Sequence, residues 1–164
     1  MSKLILVRHG ETTWNLEMRY QGQTDISLTA NGIDQAGKVA QRLAEENVAA
    51  VYSSDLSRAF VTAAQIAAVH GLEVLTRQDL REISFGEWEG MTYDAIDLDG
   101  GGTKNRLFSH PGEIEIPGGE TFLAVQQRMM EALRELAKRH EGETVVIVSH
   151  GAAIRTVLCD VLGM

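Results

Sequence analysis

The chain has 164 residues, 44% of them apolar and 23% charged, with a formal net charge of −8. Those figures suit one globular domain with one core. They argue against nucleic acid as a partner, because no basic run is present to neutralise a phosphate backbone, and no apolar run nears the roughly 20 residues a membrane span needs.

The strand at Lys3–Arg8 is followed by a long polar loop over 9–28. The spacing predicts a helix over 29–47, with Ile33, Ala36, Val39, Ala40, Leu43 and Ala44 on one face. A short strand at 50–53 leads to a helix over 55–70, where Asp55 stands ready to cap the start and Gly71 to stop the end. Residues 73–76 read as another strand. The stretch 79–119 holds both prolines and several aromatics. Short helices are expected in it near 92–98 and 104–108. It is too long for a plain connector and reads as a lid-like insertion. Residues 121–140 form a strongly amphipathic helix with Phe122, Val125, Met129, Ala132, Leu133 and Leu136 in register. Glu120 stands to cap that helix or to line the lid. A last buried strand, 144–149, and a last helix, 152–162, complete the chain. Strand alternating with helix predicts an α/β fold, a three-layer α/β/α sandwich around a mostly parallel sheet. No repeat or linker divides residues 1–164, which read as a single domain.

Three strands end in residues with chemistry to offer. The first ends Arg8-His9-Gly10, the second Ser53-Ser54 with Arg58 soon after, and the last Ser149-His150-Gly151. Parallel strands present their carboxyl ends at one edge of the sheet, where ligands bind. Arg8, His9, Arg58 and His150 then converge on one crevice. The planar arginine fork matches phosphate oxygens, and a neutral imidazole can attack phosphorus. Gly10 and Gly151 allow backbone to approach closely, and the helix opening after Gly151 would aim free N–H groups at an anion. The departing oxygen needs a proton, for which Glu82 is the leading candidate. Taken one at a time, each residue has a plainer reading: a histidine hydrogen-bonded at a strand end, a solvated helix arginine, a carboxylate paired with arginine. Together they place complementary groups at equivalent points of the topology. A metal site is disfavoured by the flanking arginines and the lack of cysteine partners. Neither a Gly-x-x-x-x-Gly-Lys loop nor a Gly-x-Ser-x-Gly elbow is present.

Arg8-His9-Gly10-Glu11-Thr12 with Trp14-Asn15 resembles the signature of the histidine phosphatase superfamily, the phosphoglycerate mutase-like fold. The resemblance continues through Leu28-Thr29, Ser53-Ser54-Asp55-Leu56 with Arg58-Ala59, Leu80-Arg81-Glu82 and Ser149-His150-Gly151. It implies that His9 becomes phosphorylated. Arg8, Arg58 and His150, helped by Asn15, would clamp the phosphoryl oxygens, and Gly151 would contribute its N–H. Glu82 would protonate the leaving group and then act as base toward water. It implies no metal and no cofactor, a small phosphorylated substrate, and one antiparallel strand in the sheet; a homodimer stays open as the assembly. Residues 80–90, with Phe108, Pro111 and 117–121, are similar to the phosphatase branch rather than the mutases. Within that branch they resemble the α-ribazole phosphatases of cobalamin biosynthesis, while broad-specificity phosphatases share much of the pattern. Phe85, Trp88 and Phe108 stand either in the core or in a pocket where a flat base could stack. Val61 and Ala152 depart from the family's usual glutamine and second glycine. Relatives usually continue past residue 164 with a helix and a strand, so a shortened C-terminus is expected. The opening Met1-Ser2-Lys3 leaves no room for a signal peptide, and the single Cys159 fits a cytoplasmic setting.

Overall fold

The computed structural model describes residues 1–96, 107 and 109–164. The helix expected over 104–108, and Phe108 with it, lies outside the described residues apart from Leu107. Four strands, β1 (Lys3–Arg8), β2 (Val48–Ser54), β3 (Val74–Arg77) and β4 (Thr144–Ser149), form a sheet of order β1-β4-β2-β3. All three pairings are parallel. The antiparallel strand expected from the resemblance is not in this sheet among the described residues.

Strand alternation sorts side chains to two faces. Along β4, Val145 and Ile147 enter one buried cluster, and Val146 and Val148 the other. The first cluster is roofed by α4 (Phe122–Arg139) and α5 (Gly151–Leu162), through Val125, Met129, Leu136, Ala153 and Val157. The second is roofed by α2 (Ala30–Leu43) and α3 (Ser57–His70), through Ala40, Leu43, Ala59, Ala63 and Ile66. A short α1 (Thr13–Leu16) lies in the polar loop. These are the three layers that the alternation predicted.

Helix boundaries differ from expectation where caps decide them. Thr29 caps α2, its hydroxyl accepting from Gly32 N–H (3.0 Å). Ile33, expected inward, is 48% exposed, and Ala44 lies beyond the helix end. The α3 start is not capped by Asp55, whose carboxylate instead pairs with both arms of Arg81 at 2.6 Å. Asp25, from the distant polar loop, accepts Ser57 N–H (2.8 Å) and Ser57 hydroxyl (2.7 Å) in its place. Gly71 ends α3 in the left-handed region, with φ 65°. Thr121 caps α4, so Glu120 is freed for another task. Within 79–119 the described residues form short 3₁₀ pieces at Gly86–Trp88, Tyr93–Ala95 and Pro111–Glu113, with Gln78–Leu80 at its entry, and Leu107 and Ser109 are α-helical. The segment also sends Leu80, Ile83, Trp88, Ile96, Leu107 and Ile116 into the first cluster. No helix among the described residues is long and apolar enough to cross a membrane.

Candidate active site

The register of the parallel sheet assembles the site. Arg8 stands opposite Ser149, and His9 N–H extends the ladder by bonding the Ser149 carbonyl (3.1 Å). His9 and His150 therefore leave neighbouring strands side by side, with ring centroids 5.1 Å apart. The His9 Nδ1 lies 2.6 Å from the Gly10 carbonyl. A carbonyl can only accept, so Nδ1 carries the proton and Nε2 keeps its lone pair. Burial, then the nearby Arg58 and, more weakly, Arg8 lower the His9 pKa to about 3 against the opposing Gly10 bond. The ring is neutral at ordinary pH.

Arg58, on the first turn of α3, is only 1% exposed. Its Nη1 donates to the Thr24 carbonyl (2.8 Å) and its Nη2 to the Gly22 carbonyl (2.7 Å). Those carbonyls are held in place by Glu89, whose carboxylate accepts Gln23 N–H (3.0 Å), Thr24 N–H (2.9 Å) and the Thr24 hydroxyl. Arg58 Nε is buried without a hydrogen-bond partner. So are both ring nitrogens of His150, whose exposure is 0%. Burial first, then Arg58 and His9, push the His150 pKa well below the ordinary histidine value.

Glu82 is buried against the start of α5. Its Oε1 accepts Ala153 N–H (2.8 Å) and Ile83 N–H (3.0 Å), and its Oε2 accepts Ala152 N–H (3.0 Å). This corrects the expectation that the first turn after Gly151 aims these N–H groups at an anion, because the side chain of Glu82 already occupies those of Ala152 and Ala153. Two lone pairs of Oε1 are used and one of Oε2, which leaves Oε2 able to carry a proton without losing a bond. The backbone behind Glu82 is held by Arg128, which donates to the carbonyls of Asp79 (2.9 Å), Arg81 (2.8 Å) and Glu82 (3.0 Å). Arg128 also grips Glu120 with Nε (2.9 Å) and Nη2 (3.0 Å), and Glu120 accepts Ser84 N–H (2.9 Å). Glu120 thus does not cap α4, and its bond to Ser84 ties it to the segment read as a lid.

A cavity of about 410 Å³ opens over this group, with Arg8, His9, Asn15, Arg58, Glu82 and Gly151 in its wall. His150 lies beneath, against the His9 ring. Arg8 is exposed, with its Nε 3.3 Å from where a side chain on Gly151 would begin. Asn15 spends its Oδ1 on Thr12 N–H (3.0 Å), within a reciprocal cap of α1, so only its amide nitrogen remains to meet a ligand. Arg8, His9, Asn15, Arg58, Glu82, His150 and Gly151 are therefore at this one place. Of the aromatics, Phe85 lines the cavity and Trp88 is in the core. Sequence reading missed Arg19, Tyr20, Gln21, Tyr93, Phe122 and Arg155 as wall residues. Most come from loops without periodicity, and Phe122 was read as core because it shares the register of α4. A smaller cavity of about 220 Å³ adjoins it, where Gln35 and Glu11 face Arg8 and His9. Among the described residues no three histidine, cysteine or acidic side chains gather as a metal site.

Residues 4–164 match the histidine phosphatase superfamily (branch 1). The chain is 40% identical over 164 residues to phosphoserine phosphatase 1 of Hydrogenobacter thermophilus, covering 100% of this chain and 78% of that one. It is 39% identical to a probable phosphoglycerate mutase GpmB of Serratia proteamaculans, covering 100% of this chain and 76% of that one. The structure of a histidine-to-alanine mutant of Entamoeba histolytica phosphoserine phosphatase in complex with phosphoserine superimposes with a TM-score of 0.87. The two share 41% identity, over 100% of this chain and 81% of that one.

Proposed function

The chain belongs to the histidine phosphatase superfamily and is a phosphomonoester hydrolase; from that premise we propose that it works through a phosphohistidine at His9, on small phosphorylated acids such as phosphoserine. The observation that carries this reading is the set of buried nitrogens without partners, Arg58 Nε and both of His150, beside a neutral His9. Buried polar atoms left unpaired cost about 1–3 kcal/mol each. A phosphoryl group would bring acceptors to Arg58 Nε and to the one ring nitrogen of the neutral His150 that carries a proton.

In the first step His9 Nε2 donates its lone pair to phosphorus and the ester P–O bond breaks. The departing oxygen takes a proton from Glu82 Oε2. Arg8, Arg58, His150 and the Asn15 amide hold the phosphoryl oxygens, with Gly151 leaving room beside Arg8. In the second step Glu82 takes a proton from water, whose oxygen attacks phosphorus as the P–N bond breaks. His9 and inorganic phosphate are released. Positioning and charge stabilisation supply the rate, and no metal or cofactor takes part.

Arg19, although its Nε is bonded to Glu17 and its Nη1 to the Gly90 carbonyl, brings positive charge to the cavity wall that suits a carboxylate on the alcohol part of the substrate. The resemblance of 80–90 to α-ribazole phosphatases keeps a second reading. The aromatic wall of Tyr20, Phe85 and Tyr93 favours it, because a flat base would stack there. The deciding experiment measures phosphate release from phosphoserine, α-ribazole 5′-phosphate and an aryl phosphate in excess EDTA. Selective release from phosphoserine is the expected result. Preference for α-ribazole phosphate would move the substrate to the second reading, and no release from any of the three would overturn the hydrolase mechanism.

A further inference from the structure

Gly10 supplies the carbonyl that holds the His9 tautomer, yet glycine is the residue least able to hold its own flanking peptides still. The structure supplies that restraint from two helices. The peptide before Gly10 is held by Thr62 on α3, whose hydroxyl accepts Gly10 N–H (3.2 Å) and donates to the Arg58 carbonyl one turn back (2.8 Å). The peptide after Gly10, whose oxygen faces His9, is held by Gln35 on α2, whose Oε1 accepts Glu11 N–H (2.9 Å). Gln35 can reach because α2 presses on this loop. A Cβ on Gly10 would collide with the Gly32 carbonyl, and one on Gly32 with the Glu11 carbonyl.

We propose that Thr62 and Gln35 are positioning residues that clamp the two peptides around Gly10, and through its carbonyl keep the proton on His9 Nδ1 and the lone pair on Nε2. Resting on the reading of His9 as nucleophile, the inference adds two residues that touch neither substrate nor phosphate. If the Gly10 carbonyl turns away, the Nδ1 proton loses its acceptor and the other tautomer becomes accessible. That tautomer has a protonated Nε2 and cannot attack. Thr62 also joins the nucleophile to the turn that carries Arg58, so clamp and nucleophile keep one geometry.

The test uses Thr62→Val, Thr62→Ser and Gln35→Leu in the full chain. Thr62→Ser keeps an acceptor oxygen and should stay near wild type. Thr62→Val should lower kcat by about a hundredfold and Gln35→Leu by about tenfold, with KM within about twofold, as misplacement of a reacting group does. Nitrogen-15 spectra of the imidazole, with His9 assigned by comparison with His9→Ala, should show a single Nδ1–H tautomer in wild type and a mixture in Thr62→Val and Gln35→Leu. Undiminished kcat in both of these variants, or a loss of kcat with the tautomer unchanged, would overturn the proposal. Thr62 is buried; should Thr62→Val fail to fold, Gln35→Leu, at an exposed position, decides alone. A wild type that forms no phosphoenzyme would instead overturn the reading of His9.

Discussion

On the proposed mechanism His9 enters with Nε2 unprotonated and Glu82 enters with a proton. The bonds around each allow this: Nδ1 of His9 is tied to Gly10, and Oε2 of Glu82 has one lone pair left over. Glu82→Gln should therefore slow hydrolysis of an alkyl phosphate far more than that of an activated aryl phosphate, whose leaving group departs without help. Equal losses on both, in steady-state assays, would remove Glu82 from the acid role. The neutrality of His9 also has a cost in stability. Its folded pKa of about 3 lies below the ordinary 6.5, so the unfolded chain binds more protons between those values. The contribution is fully present above pH 6.5 and is lost as pH falls toward 3. At pH 5 the loss from this one group is about 2 kcal/mol. His150 acts in the same direction. Urea denaturation at pH 7.5 and pH 5 should show a larger drop for wild type than for His9→Gln.

At the scale of elements, the site is made by ends of strands and starts of helices, and those ends depend on distant partners. Asp25 is the clearest case. Replacing it by alanine removes the cap of α3 and should cost about 1 kcal/mol in urea denaturation. An unchanged midpoint would show that Asp25 does not hold α3. The sequence pointed to Asp55 for that cap, since a cap normally stands next to its helix. Nothing local reveals that Arg81 draws Asp55 away, or that a loop residue 32 positions upstream of Ser57 replaces it. The capping role offered to Glu120 failed for the same reason, because Arg128 holds its carboxylate. The strands and long helices were legible because apolar periodicity is local. Arg8, His9, Arg58 and His150 were legible because each sits at the end of such a segment, whereas Glu82 lies in the irregular stretch after β3. The cavity walls at Tyr20, Gln21 and Tyr93 belong to loops whose placement only tertiary packing decides.

At the scale of the molecule, one sheet serves two cores, so a change in either should be felt by both. Ile147→Ala in the first cluster should cost about 2–5 kcal/mol. Val146→Ala, one residue away in the second cluster, should shift tryptophan fluorescence and far-UV circular dichroism together, although Trp88 is in the first. Separate transitions would contradict a single cooperative domain over residues 1–164. The same arrangement explains why the site is where it is. Parallel register brings Arg8-His9 and Ser149-His150 to one edge, β2 delivers Arg58, and the segment after β3 returns Glu82 over them.

The measurement that bears most directly on the mechanism is a rapid quench of the chain during turnover of phosphoserine or an aryl phosphate, followed by digestion and mass spectrometry. An acid-labile, base-stable phosphoryl group on His9, absent from His9→Ala, is the predicted result. Turnover with no phosphoenzyme, or with the phosphoryl group on another residue, would contradict it.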